Sequence, residues 1–161
     1  WPDWDKPVAF VPVHGSEIHE DAGSSRSNMD EAAVVIQVVR DLLLPGDLKI
    51  EDIGIISPYA GQVRLLREML GDDFHSLEIK TVDGYQGREK EIIILSTVRS
   101  NSEGKVGFLS NYRRLNVALT RAKRGLIVIG DDRTLRNDST WDSWLSWVED
   151  SKLMAWHILN S

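Results

Sequence analysis

From Arg99 to Gly125 the chain carries seven Lys or Arg (Arg99, Lys105, Arg113, Arg114, Arg121, Lys123 and Arg124) against the single acid Glu103, although its formal charge is −6. Guanidinium groups bind phosphate and carboxylate through paired N–H bonds, so a segment of this kind suits an anion. On a helix, Leu115, Ala118, Leu119 and Ala122 recur at the i, i+3, i+4, i+7 spacing of one apolar face. Arg114, Val117, Arg121 and Arg124 then line a neighbouring face. Gly125 interrupts that helix, and Leu126 to Ile129 reads as a short buried strand ending in Gly130-Asp131. Two readings are open at this point: a helix presenting arginines to an anion, or a basic face that is simply solvated.

Other residues that can do chemistry are sparser. The turn Asp83-Gly84-Tyr85-Gln86-Gly87-Arg88-Glu89 holds two glycines three apart, which lets backbone N–H groups approach an anion closely. A turn between two strands needs glycine for its own reasons, so that signal does not decide. Ser57-Pro58-Tyr59 offers a hydroxyl and an aromatic ring beside a rigid bend, which fits either a sugar-phosphate contact or an ordinary turn. No G-x-x-x-x-G-K-[ST] phosphate loop occurs anywhere. Without one upstream, Asp131-Asp132 reads as a strand-end turn rather than a magnesium-holding pair. A chain with arginines poised for phosphate and no phosphate cradle is half of a site. The absence of cysteine excludes disulfides and thiolate zinc sites. His14, His19, His75 and His157 are scattered, and no metal site is expected from their spacing.

The elements that must position these residues alternate. Val8 to Val13 is a short strand, with Pro12 suiting an edge, and Gly15 to Asn28 is a polar loop. Asn28 or Asp30 caps a helix carrying Ala33, Ile36, Val39, Leu42 and Leu43 until Pro45-Gly46 stops it. Ile53 to Ile56 is an apolar run that suits a central parallel strand. A second helix opens at Gly61 with Val63, Leu66, Met69 and Leu70 as its stripe. Glu78 to Val82 is a strand, and Ile92 to Val98 is the clearest core strand. Thr140 caps a last helix in which Trp141, Trp144, Leu145 and Val148 share a face and serve the core. This order implies an α/β fold with a mostly parallel sheet, whose ligands bind at the carboxyl ends of the strands. The chain reads as one domain. Its opening, Trp1 to Lys6, lacks a start methionine or a capping pattern, so a piece of a larger protein is expected. Eleven acids against four Lys or Arg in the first 52 residues mean that nucleic-acid binding must come from a local basic patch. No apolar run is long enough for a membrane span and no signal peptide is present, so a cytoplasmic or nuclear location is expected.

Three stretches in series resemble the carboxyl-terminal motor domain of superfamily 1 helicases, in the branch of the up-frameshift, senataxin and immunoglobulin mu-binding helicases. Ile53 to Gln62, IGIISPYAGQ, resembles that family's motif IV region. Ile79 to Asn101, IKTVDGYQGREKEIIILSTVRSN, resembles motif V and the strand after it. Gly107 to Asp131, GFLSNYRRLNVALTRAKRGLIVIGD, resembles motif VI, and the similarity runs from about Val8 to Val148.

The resemblance implies a RecA-like three-layer α/β/α fold and an ATP site shared with a preceding RecA-like domain, which would supply the phosphate loop and the magnesium ligands. By similarity, Arg121 would be an arginine finger reaching the γ-phosphate and Arg114 would support the same helix face. Gly87 would approach the phosphates through its backbone, and Glu89 would contact the ribose or nearby phosphate region. Pro58, Tyr59, Thr81 and Val82 would lie along single-stranded RNA or DNA, mainly touching its backbone. Translocation from 5′ to 3′ is implied by the relatives, and the 161-residue chain alone is expected to be inactive. A stand-alone binding or regulatory module that kept the fold without the motor is the alternative.

Overall fold

The computed structural model describes residues 7–19, 25–85, 89–120 and 122–155. In chain order the elements are β1 (Val8–Pro12), a small hairpin of β2 (Ile18–His19) and β3 (Arg26–Ser27), α1 (Met29–Leu43) and β4 (Ile53–Ser57). There follow α2 (Ala60–Leu70), β5 (Glu78–Thr81), β6 (Lys90–Ser96), α3 (Tyr112–Leu119), β7 (Ala122–Gly130), α4 (Asp132–Leu135) and α5 (Ser139–Asp150). Five strands form one sheet in the order β1-β7-β6-β4-β5, and every pairing in it is parallel.

Alternation along the strands sorts the core into two layers. Ile53, Ile55, Ile92, Ile94, Ile127 and Ile129 face α1 and α2, packing with Val35, Val39, Leu66 and Leu70. Phe10, Ile56, Ile93, Leu95 and Val128 face the other way, against Leu115 of α3 and Trp141, Leu145 and Val148 of α5. Strands apolar on both faces require cover on both faces, and the result is the α/β arrangement that the order of elements implied, RecA-like as the family resemblance implied. The two crossovers β4-α2-β5 and β6-α3-β7 move outward in opposite directions along the sheet. With connections of one hand, that places α2 and α3 on opposite faces.

Several local expectations meet a different outcome. In α1 the buried stripe runs through Ala32, Val35, Ile36 and Val39 while Ala33 is exposed, and in α2 Met69 is exposed. Asn28 is the cap of α1, its side chain accepting from Glu31 N at 3.1 Å. The cap of α5 is Asp138 rather than Thr140, because the Asp138 carboxylate reaches Trp141 N at 3.1 Å. The basic stretch divides earlier than its periodicity suggests: α3 ends at Leu119, and Ala122 and Arg124 already belong to β7. Gly125 therefore sits inside the strand, opposite Ile92, and breaks no helix. Sheet pairing with β6 overrides the helical spacing.

The outer edge of β1 is also covered. Phe10 N donates to Leu153 O at 3.1 Å and Ala155 N donates to Phe10 O at 2.8 Å, so the segment after α5 satisfies backbone groups that an edge strand would otherwise expose. Among the described residues, no helix is long and apolar enough to cross a membrane.

Candidate functional site

The connection between β5 and β6 organises the site. The two strands run in the same direction with β4 between them, so residues 82–89 must travel from the carboxyl end of the sheet back to its amino end. Among the described residues of that crossing there is no helix. Instead Gly84 N donates to Thr81 O at 3.1 Å to form a turn, and Tyr85 drops into the core over β4. A Cβ at Gly54 would overlap the Tyr85 hydroxyl, which explains a glycine in the middle of a buried strand.

This path separates the candidate residues into two groups. Pro58, Thr81, Val82 and Arg114 meet in one open pocket at the carboxyl ends of β4 and β5, together with Asp83, Phe108 and Leu115. Arg114, on the first turns of α3, pairs with Asp83 at 3.2 Å, and both side chains are more than half exposed. Glu89 lies at the opposite, amino end, beside Lys123 Nζ at 3.6 Å. There Lys90 pairs with Ala122, which brings the residues entering β6 and β7 together. Asp83 and Glu89 thus lie at opposite ends of the sheet. Gly87 and Arg121 lie outside the described residues.

Tyr59 is placed differently from its neighbours. Its ring is buried, with 2% exposure, so it does not present a free face beside Pro58. The hydroxyl accepts from Arg99 Nη1 at 3.1 Å, and the ring packs against Phe108 with centroids 5.7 Å apart. Tyr59 therefore supports the pocket from below.

The residues that fix Tyr59 in turn were not singled out from the sequence. Arg99 Nε donates to Glu17 Oε1 at 3.2 Å, and the same carboxylate accepts from Ser100 N at 2.9 Å and Asn101 Nδ2 at 2.6 Å. Arg26 Nε holds the other oxygen at 2.8 Å. Burial pushes the Glu17 carboxyl up, but the donors from Asn101, Arg99 and Ser100 outweigh it and leave the group below its ordinary value. The chain reaches Arg99 through Val98, which has φ 72. A left-handed β-branched residue is costly and persists only where its surroundings hold it. Here Val98 N donates to Glu31 Oε1 at 2.8 Å and Val98 O accepts from Asn28 Nδ2 at 3.0 Å.

Glu31 is itself fully buried in the first turn of α1. It also accepts from Ser96 Oγ at 2.8 Å, and Gln62 Nε2 donates to Ser96 Oγ at 3.2 Å and to Asn28 O at 3.1 Å. Burial raises the Glu31 carboxyl to about 8, against the lowering effect of the donors from Val98 and Ser96. A Glu in a helical repeat ordinarily reads as surface, so nothing in its spacing marks it. The one available signal was Gln62, a polar residue that closes the motif Ile53 to Gln62.

A second cluster stands apart. His14 Nε2 lies 2.7 Å from Asp132 Oδ1 and 3.8 Å from Asp131 Oδ1, close enough for these three side chains to share an ion. The Asp131 carboxylate already accepts from Ser100 Oγ at 2.6 Å and caps α4 through Arg133 N at 3.1 Å. It is engaged in the strand-end turn expected of it.

Comparison with known proteins bears on what this arrangement serves. A family model described as AAA domain matches residues 1–133. Over the whole chain, 41% of residues are identical to a regulator of nonsense transcripts 1 homolog of Drosophila melanogaster, of which the match covers 14%. The DNA-binding protein SMUBP-2 of Mesocricetus auratus is 48% identical over 81% of the chain and 13% of its own length. The chain belongs to this AAA domain family, in the up-frameshift branch of the superfamily 1 helicases. An uncharacterized ATP-dependent helicase of Methanocaldococcus jannaschii is also similar, 41% identical over 89% of the chain. The chain spans about 13 to 20% of the length of these relatives.

Within a helicase-family frame, the amino-end group has the right chemistry for the rim of a nucleotide site. The Glu89 carboxylate and the Lys123 ammonium are both more than half exposed, so one can accept from a sugar hydroxyl and the other can meet a phosphate. They fit the periphery of ATP, and nothing among the described residues forms a phosphate loop.

Proposed function

We propose that this chain is the second RecA-like motor domain of an ATP-dependent superfamily 1 helicase. It contributes one wall of an ATP site completed by a preceding RecA-like domain of the same protein, and part of a track for single-stranded RNA or DNA. The observation that carries this reading is the meeting of Pro58, Thr81, Val82 and Arg114 in one open pocket, with Glu89 at the other end of the sheet and α3 running between them.

In this reading the bound ATP, with its magnesium held by the preceding domain, draws the two domains closed and supplies the phosphoryl group that then passes to water. Arg121 acts as the arginine finger, Gly87 approaches the phosphates by its backbone, and Glu89 binds the ribose region. Phosphoryl transfer is catalysed mainly by positioning and charge stabilisation, which a guanidinium on a closing domain provides. Arg114 supports the helix face that leads to Arg121, and its bond to Asp83 ties that helix to the track. Thr81, Val82 and Pro58 offer backbone and small side chains to a sugar-phosphate chain, while the Tyr59 ring braces them. Closure then advances the motor along the strand in the 5′ to 3′ direction.

The testing experiment is an ATPase titration of the full-length protein with matched single-stranded RNA and DNA at several salt concentrations. Turnover rises with the strand and the apparent affinity falls steeply with salt. The isolated 161-residue chain gives no turnover. Strand-stimulated turnover by the isolated chain would refute the shared ATP site.

A further inference from the structure

Phe108 is 49% exposed, at the rim of the pocket formed by Pro58, Thr81, Val82 and Arg114. One side of its ring is held: the buried Tyr59 packs against it at 5.7 Å between centroids and an interplanar angle of 56°. Tyr59 is fixed in turn by Arg99, and Arg99 by Glu17. The residue before Phe108 is equally constrained. Gly107 has φ +55, and a Cβ there would overlap the Arg99 guanidinium and stand 2.7 Å from the Tyr59 hydroxyl. A left-handed glycine and an Arg–Glu pair with little exposure thus hold an apolar ring that is half open to solvent. Phe108 lines a pocket whose wall carries the Arg114 guanidinium, paired at 3.2 Å with the exposed Asp83 carboxylate.

Resting on the track reading above, we propose that Phe108 is a stacking platform for an unpaired nucleobase of the bound strand. Single-strand tracks combine cations that follow the backbone with aromatic faces on which bases stack, and stacking tolerates any sequence because every base has a π-face. Arg114 stands in the same pocket to meet the adjoining phosphate. The ring is pre-positioned, so binding a base costs little ordering. The proposal assigns Phe108 to the bases, whereas Pro58, Thr81 and Val82 serve the backbone.

The test uses the full-length protein and two 15-mer strands, one of oligothymidylate and one of the same length made wholly of abasic sugar-phosphate units. Phe108→Ala and Phe108→Leu, the latter keeping an apolar contact on Tyr59 without a π-face, each lose on the order of tenfold in affinity for the thymidylate strand and none for the abasic strand. Phe108→Trp restores binding, and a 2-aminopurine reporter is quenched by wild type and by the Trp variant but not by Leu. Equal losses on both strands, or no loss on either with the Leu variant, would overturn the proposal. Arg114→Ala separates this outcome from failure of the track itself. If it weakens both strands while Phe108→Leu weakens neither, the track stands and the stacking role falls; if neither variant changes binding, both readings fall.

Discussion

The backbone amide of Val98 donates to the buried carboxyl of Glu31 at 2.8 Å, and this bond sets the direction in which the chain leaves β6. Val98 turns left-handed at that point, and Arg99 is delivered to Tyr59 and Glu17 as a result. A carboxyl on the first turn of α1 thereby governs a pocket on the far side of the sheet's carboxyl end.

Glu31 makes stability depend on pH in an unusual sense. Its carboxyl is raised by burial from 4.5 to about 8, so the folded chain holds a proton that the unfolded chain has released across that window. The unfolded state binds fewer protons there, and stability falls as pH rises from about 4.5 to about 8, then levels off. Chemical denaturation at several pH values should give a midpoint that declines over this range in wild type. Glu31→Gln, which is neutral at every pH, should flatten the decline, and an unchanged slope would exclude Glu31 as its source.

Gly107→Ala should destabilise the chain by about 1–3 kcal/mol, since it combines a left-handed backbone with a Cβ for which Arg99 and Tyr59 leave no room. Urea denaturation measures the loss. Alanine at Gly46, which also has positive φ but nothing within 4 Å, should cost less, and the difference isolates the steric part.

Gly54→Ala should also destabilise, because its Cβ meets the Tyr85 hydroxyl. Tyr85→Phe takes that oxygen away. The double variant should therefore lose less than the sum of the two singles, by roughly 0.5–3 kcal/mol in a double-mutant cycle. Additive losses would mean that the two positions do not share this contact.

In the full-length protein, Arg121→Ala should lower strand-stimulated ATPase by roughly 10³ to 10⁵ if it is the finger. Equilibrium binding of single strands should change little. Retained turnover with collapsed binding would make Arg121 a backbone clamp instead.

Legibility followed locality. The apolar run of Ile92 to Leu95, the Asn28 cap and the order of strands and helices rest on near neighbours, and all could be read from the sequence. The end of α3 could not, because Ala122 to Arg124 fit a helical face and are taken from it by pairing with β6, a partner some 30 residues away in sequence. Tyr59 and Glu31 show the same limit for side chains. An aromatic after proline and a glutamate on a helix both read as surface until Arg99, Ser96 and Val98 arrive from distant positions. Pro58, Thr81, Val82, Arg114 and Glu89 were named from motif resemblance, yet the separation of Glu89 from the other four required the strand order of the sheet.

The two ends are joined by α3, whose eight residues make a rod about 12 Å long. A helix advances each residue by about 1.5 Å and turns it by about 100°. Removing or adding one residue inside α3 would therefore put Arg114 out of phase with everything beyond Leu119, whatever residue types were kept. The segment behaves as a gear tooth count: its composition can be varied, but its length sets the register between the Arg114 pocket at one end of the sheet and the Glu89–Lys123 pair at the other.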